Sequence, residues 1–169
     1  PIGLLHALGA RDDWEDLTVA GPIDVSLHIA SSGTDADFIV KVVDVFPLSA
    51  AAQHAGGPRM DAYEQLVHGN VFRARWRRSF ERPQPLVAHR PDSLTFSLED
   101  VMHTFKKGHR LMVQVQSTWF PLVDRNPQTY VPNIYQAKAS DFRPATMTVF
   151  RTPARASGIR VRVLPAVAQ

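Results

Sequence analysis

Hydrophobic residues in this chain recur at every second position, in short segments cut off by proline and glycine, and hardly anywhere at helical spacing. From Ile23 to Ala30 the apolar residues Ile23, Val25, Leu27 and Ile29 alternate with Asp24, Ser26 and His28. A period of two means a strand with one buried face. Ala36 to Phe46 is apolar on both faces, the pattern of a central strand. Leu66 to Arg77 reads as a long strand bent at Gly69, and Leu94 to Leu98 as a short one. Val101 to Phe105 reads as a helical turn or a strand end. Arg110 to Ser117, Ala145 to Thr152 and Ile159 to Leu164 complete a set of about eight strands. The best helical candidate is short, Asp61 to Val67, and Pro47 to Pro58 reads as a mobile loop. Strand upon strand with Pro/Gly turns predicts an all-β sandwich, not a parallel α/β sheet.

The chain has 169 residues, enough to bury a real core in one domain. Nine glycines and 13 prolines punctuate many strands but are too few for a disordered chain. With no cysteine, disulfides and zinc-thiolate sites are excluded. No apolar run approaches the ~20 residues of a membrane span, and no membrane partner is expected. Residues 1–14, PIGLLHALGARDDW, lack the basic start of a secretory signal and read as a poorly ordered leader or a fragment boundary. Residues 15–169 then form the single domain. Nothing in the sequence decides the compartment.

The net charge is only +3, but the basic residues are mostly arginine and they cluster. Arg73, Arg75 and Arg77 alternate with Phe72, Ala74 and Trp76, so on a strand the arginines would share one face. Such a row could follow phosphates. The reading preferred here is a polar outer face paired with acids of neighbouring strands, since no nucleic-acid-binding motif accompanies it.

The stretch Lys106 to Ile134, KKGHRLMVQVQSTWFPLVDRNPQTYVPNI, is the most informative. After the turn at Gly108 comes an alternating strand, Leu111, Val113 and Val115 against Met112, Gln114 and Gln116. It runs into Trp119-Phe120-Pro121 and then Asp124, Arg125 and Asn126. Trp119 and Phe120 either plug the open end of the sandwich or project from it as a docking tip.

These residues carry a resemblance. GHRLMVQVQSTWFPLVDRNPQTYVPNI, EDLTVAGPIDVSLHIASSGTDADFIVKVVDVFP from Glu15 and YEQLVHGNVFRARWRRSFERPQPL from Tyr63 together resemble the C-terminal domain of the X-Pro dipeptidyl-peptidase and cocaine-esterase superfamily. Alpha-amino-acid ester hydrolases and glutaryl acylases are the most similar branch. The resemblance implies a jelly-roll β-sandwich of galactose-binding-domain-like type, packed on an α/β-hydrolase domain of the same parent chain or a neighbouring gene. It implies that the catalytic serine, aspartate and histidine lie on that other domain. It also favours docking for the loop, with Trp119, Phe120, Asp124, Arg125 and Asn126 as the docking and cleft residues. Self-association is the other contact to expect of such a surface.

A search for catalytic parts supports the same division. There is no Gly-x-Ser-x-Gly, so the strained turn that presents a hydrolase serine is missing. His109 and Ser117 stand at opposite ends of an extended run, more than ~25 Å apart if it stays extended. The chain alone is therefore expected to be inactive and to need no cofactor. Asp35, Asp37 and Asp44 are the best metal candidates, with Asp35 and Asp37 in a Ser-Gly-Thr loop able to offer oxygens to calcium. The preferred reading is a turn role for Asp35 and an ion pair with Lys41 or an arginine for Asp37. The histidines are scattered, with no zinc spacing. The competing function is a free-standing carbohydrate-binding module, for which coplanar exposed aromatics beside polar groups would be needed.

Overall fold

The computed structural model describes residues 15–48 and 56–165. The leader assigned to 1–14 and most of the loop from Pro47 to Pro58 lie outside the described residues. Within them the chain is a two-sheet antiparallel sandwich. The first sheet is built on β1 (Leu17–Ser31), with β4 (Asp92–Phe105) along one edge. The other edge of β1 is covered by short pieces in turn. These are β6 (Met147–Val149) at Ile29 to Ser31, β9 (Gly158–Arg160) at Asp24 to Ser26, and a bridge from Val19 to Val163. The second sheet has the order β3 (Glu64–Arg73), β2 (Asp37–Val45), β5 (Arg110–Gln116). A small hairpin joins β7 (Arg151–Thr152) to β8 (Arg155–Ala156).

The alternating residues fill the space between the sheets. Val19, Ile23, Val25, Leu27 and Ile29 of β1 and Leu94 and Leu98 of β4 face Phe38, Val40 and Val42 of β2 and Val113 and Val115 of β5. Each fully buried side chain of this kind contributes roughly 1.5–3 kcal/mol of transfer free energy. The double-sided apolar pattern of β2 is explained as expected: it is the central strand of its sheet, and its outward valines Val43 and Val45 pack with Met112.

Several expected elements differ. Ala145 to Thr152 is divided between β6 and β7 in separate sheets, and of Ile159 to Leu164 only Ile159 and Arg160 are strand. Three more differ as follows. Leu94 to Leu98 and Val101 to Phe105 belong to one strand, not two. Opposite Pro22 and Asp24 the register slips, Pro22 facing Asp100 and Asp24 facing Ser97, so β4 carries an extra residue. Glu99 sits there at φ 66, the local kink that made the sequence look interrupted. Asp61 to Val67 is not helical: a turn at Asp61 and Ala62 leads into β3. Pairing of Glu64, Gln65 and Leu66 with Val45, Asp44 and Val43 overrides the weak local helical pattern. Finally, β3 ends at Arg73, and Ala74–Trp76 turns into a short 3-10 segment, so the arginine row is not one strand face.

One end of the sandwich is closed by a buried carboxylate. Asp44, 2% exposed, lies between His103 Nε2 and His109 Nδ1, each 2.9 Å from one of its oxygens. A carboxylate only accepts, so each ring presents an N–H there. His109 packs against Phe46 with ring centroids 4.3 Å apart and planes tilted at 43°, and is thus a packing residue just before β5, with the whole strand between it and Ser117.

Candidate domain-docking surface

The long connection from Ser117 to Thr146, between β5 and β6, contains only two 3-10 turns, Ile134–Gln136 and Ala139–Asp141. It nevertheless has a fixed course, because the arginines and aspartates singled out in the sequence hold it. Asp37 and Arg73 stand opposite each other where β2 and β3 pair, and Arg73 Nε and Nη2 donate to the two Asp37 oxygens at 2.8 and 2.9 Å. Arg73 Nη2 also reaches Asp124 Oδ2 at 3.2 Å. Asn126, buried, donates from Nδ2 to Asp37 Oδ1 at 2.8 Å and accepts the Gln128 N–H at 2.8 Å.

Two residues away the pattern repeats. The 3-10 turn after Arg73 swings Arg75 inward, where Nε and Nη2 converge on Asp35 Oδ2 at 2.8 and 2.7 Å. Both side chains are buried, at 4% and 0% exposure. Arg75 Nη1 donates to the Val131 carbonyl at 2.7 Å, and its guanidinium lies 4.6 Å over Tyr130. Thr34 completes the attachment: its N–H bonds the Gln128 carbonyl and its hydroxyl accepts the Tyr130 N–H. A Cβ at Gly33 would stand 2.2 Å from that same carbonyl oxygen, so the close approach of loop to turn needs a glycine.

The calcium candidates are thereby placed. Asp35 and Asp37 each face a guanidinium, and a cation between them would have to displace it. Among the described residues no group of three or more His, Asp or Glu is arranged to hold a metal ion. Asp37 pairs with an arginine, one of the two roles weighed for it. Asp35 is a buried counter-ion, and the turn role considered for it was too modest.

The five docking residues separate into two sets. Trp119 turns back onto its own domain: its ring covers Gly69, and the Lys41 ammonium lies 4.4 Å over its face. Gly69 is thus the seat of an indole rather than a bend. Burial beneath this ring pushes the Lys41 amine below its usual value. Asp124 and Asn126 belong to the bracing network. Phe120 and Arg125 face outward. Phe120 is 63% exposed, and the Arg125 guanidinium lies between two rings, 5.5 Å from Phe120 and 5.6 Å from Phe142. Exposed Leu122 follows within the same turn. Sequence reasoning missed Phe142, which is 17 positions from Arg125; only the folded loop brings them together.

The outward part of the loop is thus a cationic aromatic patch on a hydrogen-bonded base. No helix among the described residues is long and apolar enough to cross a membrane. Comparison with known proteins agrees with the fold and identifies its family. Residues 14–160 match the X-Pro dipeptidyl-peptidase C-terminal non-catalytic domain, and the chain belongs to that family. The chain is similar to several hydrolases within it. It is 31% identical over 115 residues to cocaine esterase of Rhodococcus sp. (strain MB1 Bresler), covering 68% of this chain and 18% of the esterase. An alpha-amino acid ester hydrolase structure shares 47% identity with a TM-score of 0.82, over 89% of this chain and 24% of that one. An aminopeptidase from a marine sediment archaeon, Thaumarchaeota archaeon, shares 38% identity with a TM-score of 0.85, over 97% and 26%. The chain thus spans about a fifth to a quarter of the length of these relatives.

Proposed function

We propose that this chain serves a serine hydrolase of ester, amide or X-Pro dipeptidyl-peptidase type by packing on its α/β-hydrolase domain and shaping one wall of the substrate cleft. The observation that carries this reading is the contrast within the loop after β5. Its inner residues are hydrogen-bonded to two buried ion pairs, Asn126 to Asp37 of the Asp37–Arg73 pair and the Val131 carbonyl to Arg75 of the Asp35–Arg75 pair, while Phe120, Leu122 and Arg125 are left outside. Ordering a loop of some 30 residues costs backbone entropy of roughly 1–2 kcal/mol per residue. An exposed aromatic tip on so strongly anchored a base fits a preformed contact surface, where rigid anchors lose little on binding. The similar proteins are all much longer than this chain, so a second domain is the natural occupant, with ester and peptide hydrolysis as the chemistry it would perform. Arg125 would fix orientation across the rim more than add affinity.

The test is made in the full-length parent enzyme. Phe120→Ala should loosen domain packing by about 2 kcal/mol if the ring is a central anchor. It should also raise KM relative to wild type, whereas Arg160→Ala on β9 should do neither. Thermal unfolding and steady-state kinetics read both effects. If the two variants are alike, the loop is neither an anchor nor a cleft wall.

A further inference from the structure

A second surface carries its own chemistry and shares no residue with the docking loop. β3 and β4 are edge strands of the two sheets, and rings from both meet in the gap between them. Phe72 of β3 and Phe96 of β4 stack with centroids 5.1 Å apart and planes at 19°. Phe80 meets Phe72 edge-on at 6.1 Å and is 77% exposed. With Trp76 these rings wall a cleft of about 520 Å³, within the range of small-molecule sites.

The polar groups of this cleft are of one kind. Arg77 is fixed by Asp92 and by the carbonyls of Ala74, Gln84 and Pro85. Arg78 reaches the other oxygen of the same Asp92 and remains 55% exposed. Two guanidiniums thus share one carboxylate, which leaves one positive charge in excess. Ser79 Oγ accepts the N–H groups of Glu81 and Arg82, so its own proton is available to donate. Asn70 has both ends of its amide committed, to Ser97 O and Val71 N. No acidic side chain lines the cleft.

We propose that this cleft binds a small organic carboxylate with an aromatic or bulky aliphatic body. The rings would take the apolar body, and Arg78 with Ser79 would take the carboxylate through charge-assisted hydrogen bonds. Bracing by Asp92 holds Arg77 and Arg78 in place beforehand, which lowers the ordering cost of binding. A neutral sugar is a poorer match, because its hydroxyl oxygens would accept from these donors without the charge that strengthens such bonds. A phosphate chain would find only one charge in excess.

The probe is phenylacetate, titrated into the 169-residue chain while the indole N–H of Trp76 is followed by NMR. That signal is assigned by its loss in Trp76→Phe. Saturation in the low-millimolar range is expected, as the size of the ligand allows. Arg78→Gln and Phe80→Ala should each weaken it about tenfold or more. Arg77 still holds Asp92 in the first variant, and Phe80 is exposed, so both should keep the wild-type spectrum elsewhere. Benzyl alcohol, which has the ring without the charge, should bind about tenfold more weakly. The proposal fails if phenylacetate does not saturate by roughly 50 mM. It fails equally if benzyl alcohol or cellobiose binds as well as phenylacetate, or if Arg78→Gln leaves the affinity unchanged.

Discussion

Arg75 shows how a single side chain can be read correctly in kind and wrongly in place. The sequence puts Arg73, Arg75 and Arg77 at period two and suggests one sheet face paired with acids. Acids do receive all three, Asp37, Asp35 and Asp92 respectively. The strand face does not exist, because Ala74 N–H bonds the Ala36 carbonyl at 2.8 Å and the chain then tightens into a 3-10 turn. The sequence contained an unused signal: Asp35-x-Asp37 and Arg73-x-Arg75 have matching spacing, and Asp37 and Arg73 are register partners. Buried ion pairs are costly to break and cheap to replace whole. Arg75→Met alone should therefore destabilise the chain by about 3–5 kcal/mol, since it strands the Asp35 charge. Adding Asp35→Leu should recover most of that loss, as measured by urea unfolding. A double variant no better than the single one would show that Arg75 acts chiefly through Val131 and Tyr130.

Asp92 gives the pH dependence at the same scale. Burial alone would raise its carboxyl, but the Ser93 N–H, Arg77 and Arg78 together outweigh burial and hold it below its ordinary value. A depressed folded value means stability that is present above the unfolded value of about 3.9 and lost as pH falls through the folded one. Asp92→Asn should cost about 2 kcal/mol at neutral pH. The gap to wild type should close progressively below about pH 4. Thermal unfolding of both proteins between pH 7 and pH 2 checks it, and a gap independent of pH would point to lost geometry rather than charge.

Among the elements, strands were far more legible than connections. Alternation located β5 and the C-terminal half of β1, because a buried face leaves its period in the sequence. β1 itself begins six residues before Ile23, at Leu17, and β2 was located by an apolar run on both faces. The Ser117 to Thr146 connection has no period, and its attachments are to residues some 90 positions earlier, such as Asn126 to Asp37 and Tyr130 to Thr34. No local pattern encodes them. Trp119 and Asn126 looked like tip residues for this reason and proved to be inward-facing. The narrowest point of the attachment is Gly33 under the Gln128 carbonyl. Gly33→Ala should force the loop outward, lowering Tm by several degrees, in line with a cost of about 1–3 kcal/mol. Amide exchange should accelerate selectively in residues 126–131. Uniform acceleration throughout the sandwich would mean the loop and sheets open together.

On the scale of the whole molecule, the fold is a sandwich and the chain belongs to a non-catalytic domain family. Incubated alone with activated esters, aminoacyl esters and a fluorophosphonate, the chain should show no turnover above a heat-treated control and no stoichiometric serine labelling. The fold was readable because its signals are periodic and local. Division of labour with a second domain came from the family resemblance, not from periodicity, since a missing nucleophile says only what this chain does not do.

The pairing of β1 with the segment around Val163 has a mechanical consequence. Leu164 N–H bonds Thr18 O at 2.9 Å, and Ala20 N–H bonds Arg162 O at 3.0 Å, on either side of the Val19–Val163 bridge. The two segments run antiparallel, so Thr18 and Leu164 lie side by side. Tension applied there meets these bonds one after another, like the teeth of a zip, and never loads them all at once. Such an arrangement yields to pulling at low force. A short linker from Leu164 to Leu17, with the chain opened between β2 and β3, would keep every strand pairing described above.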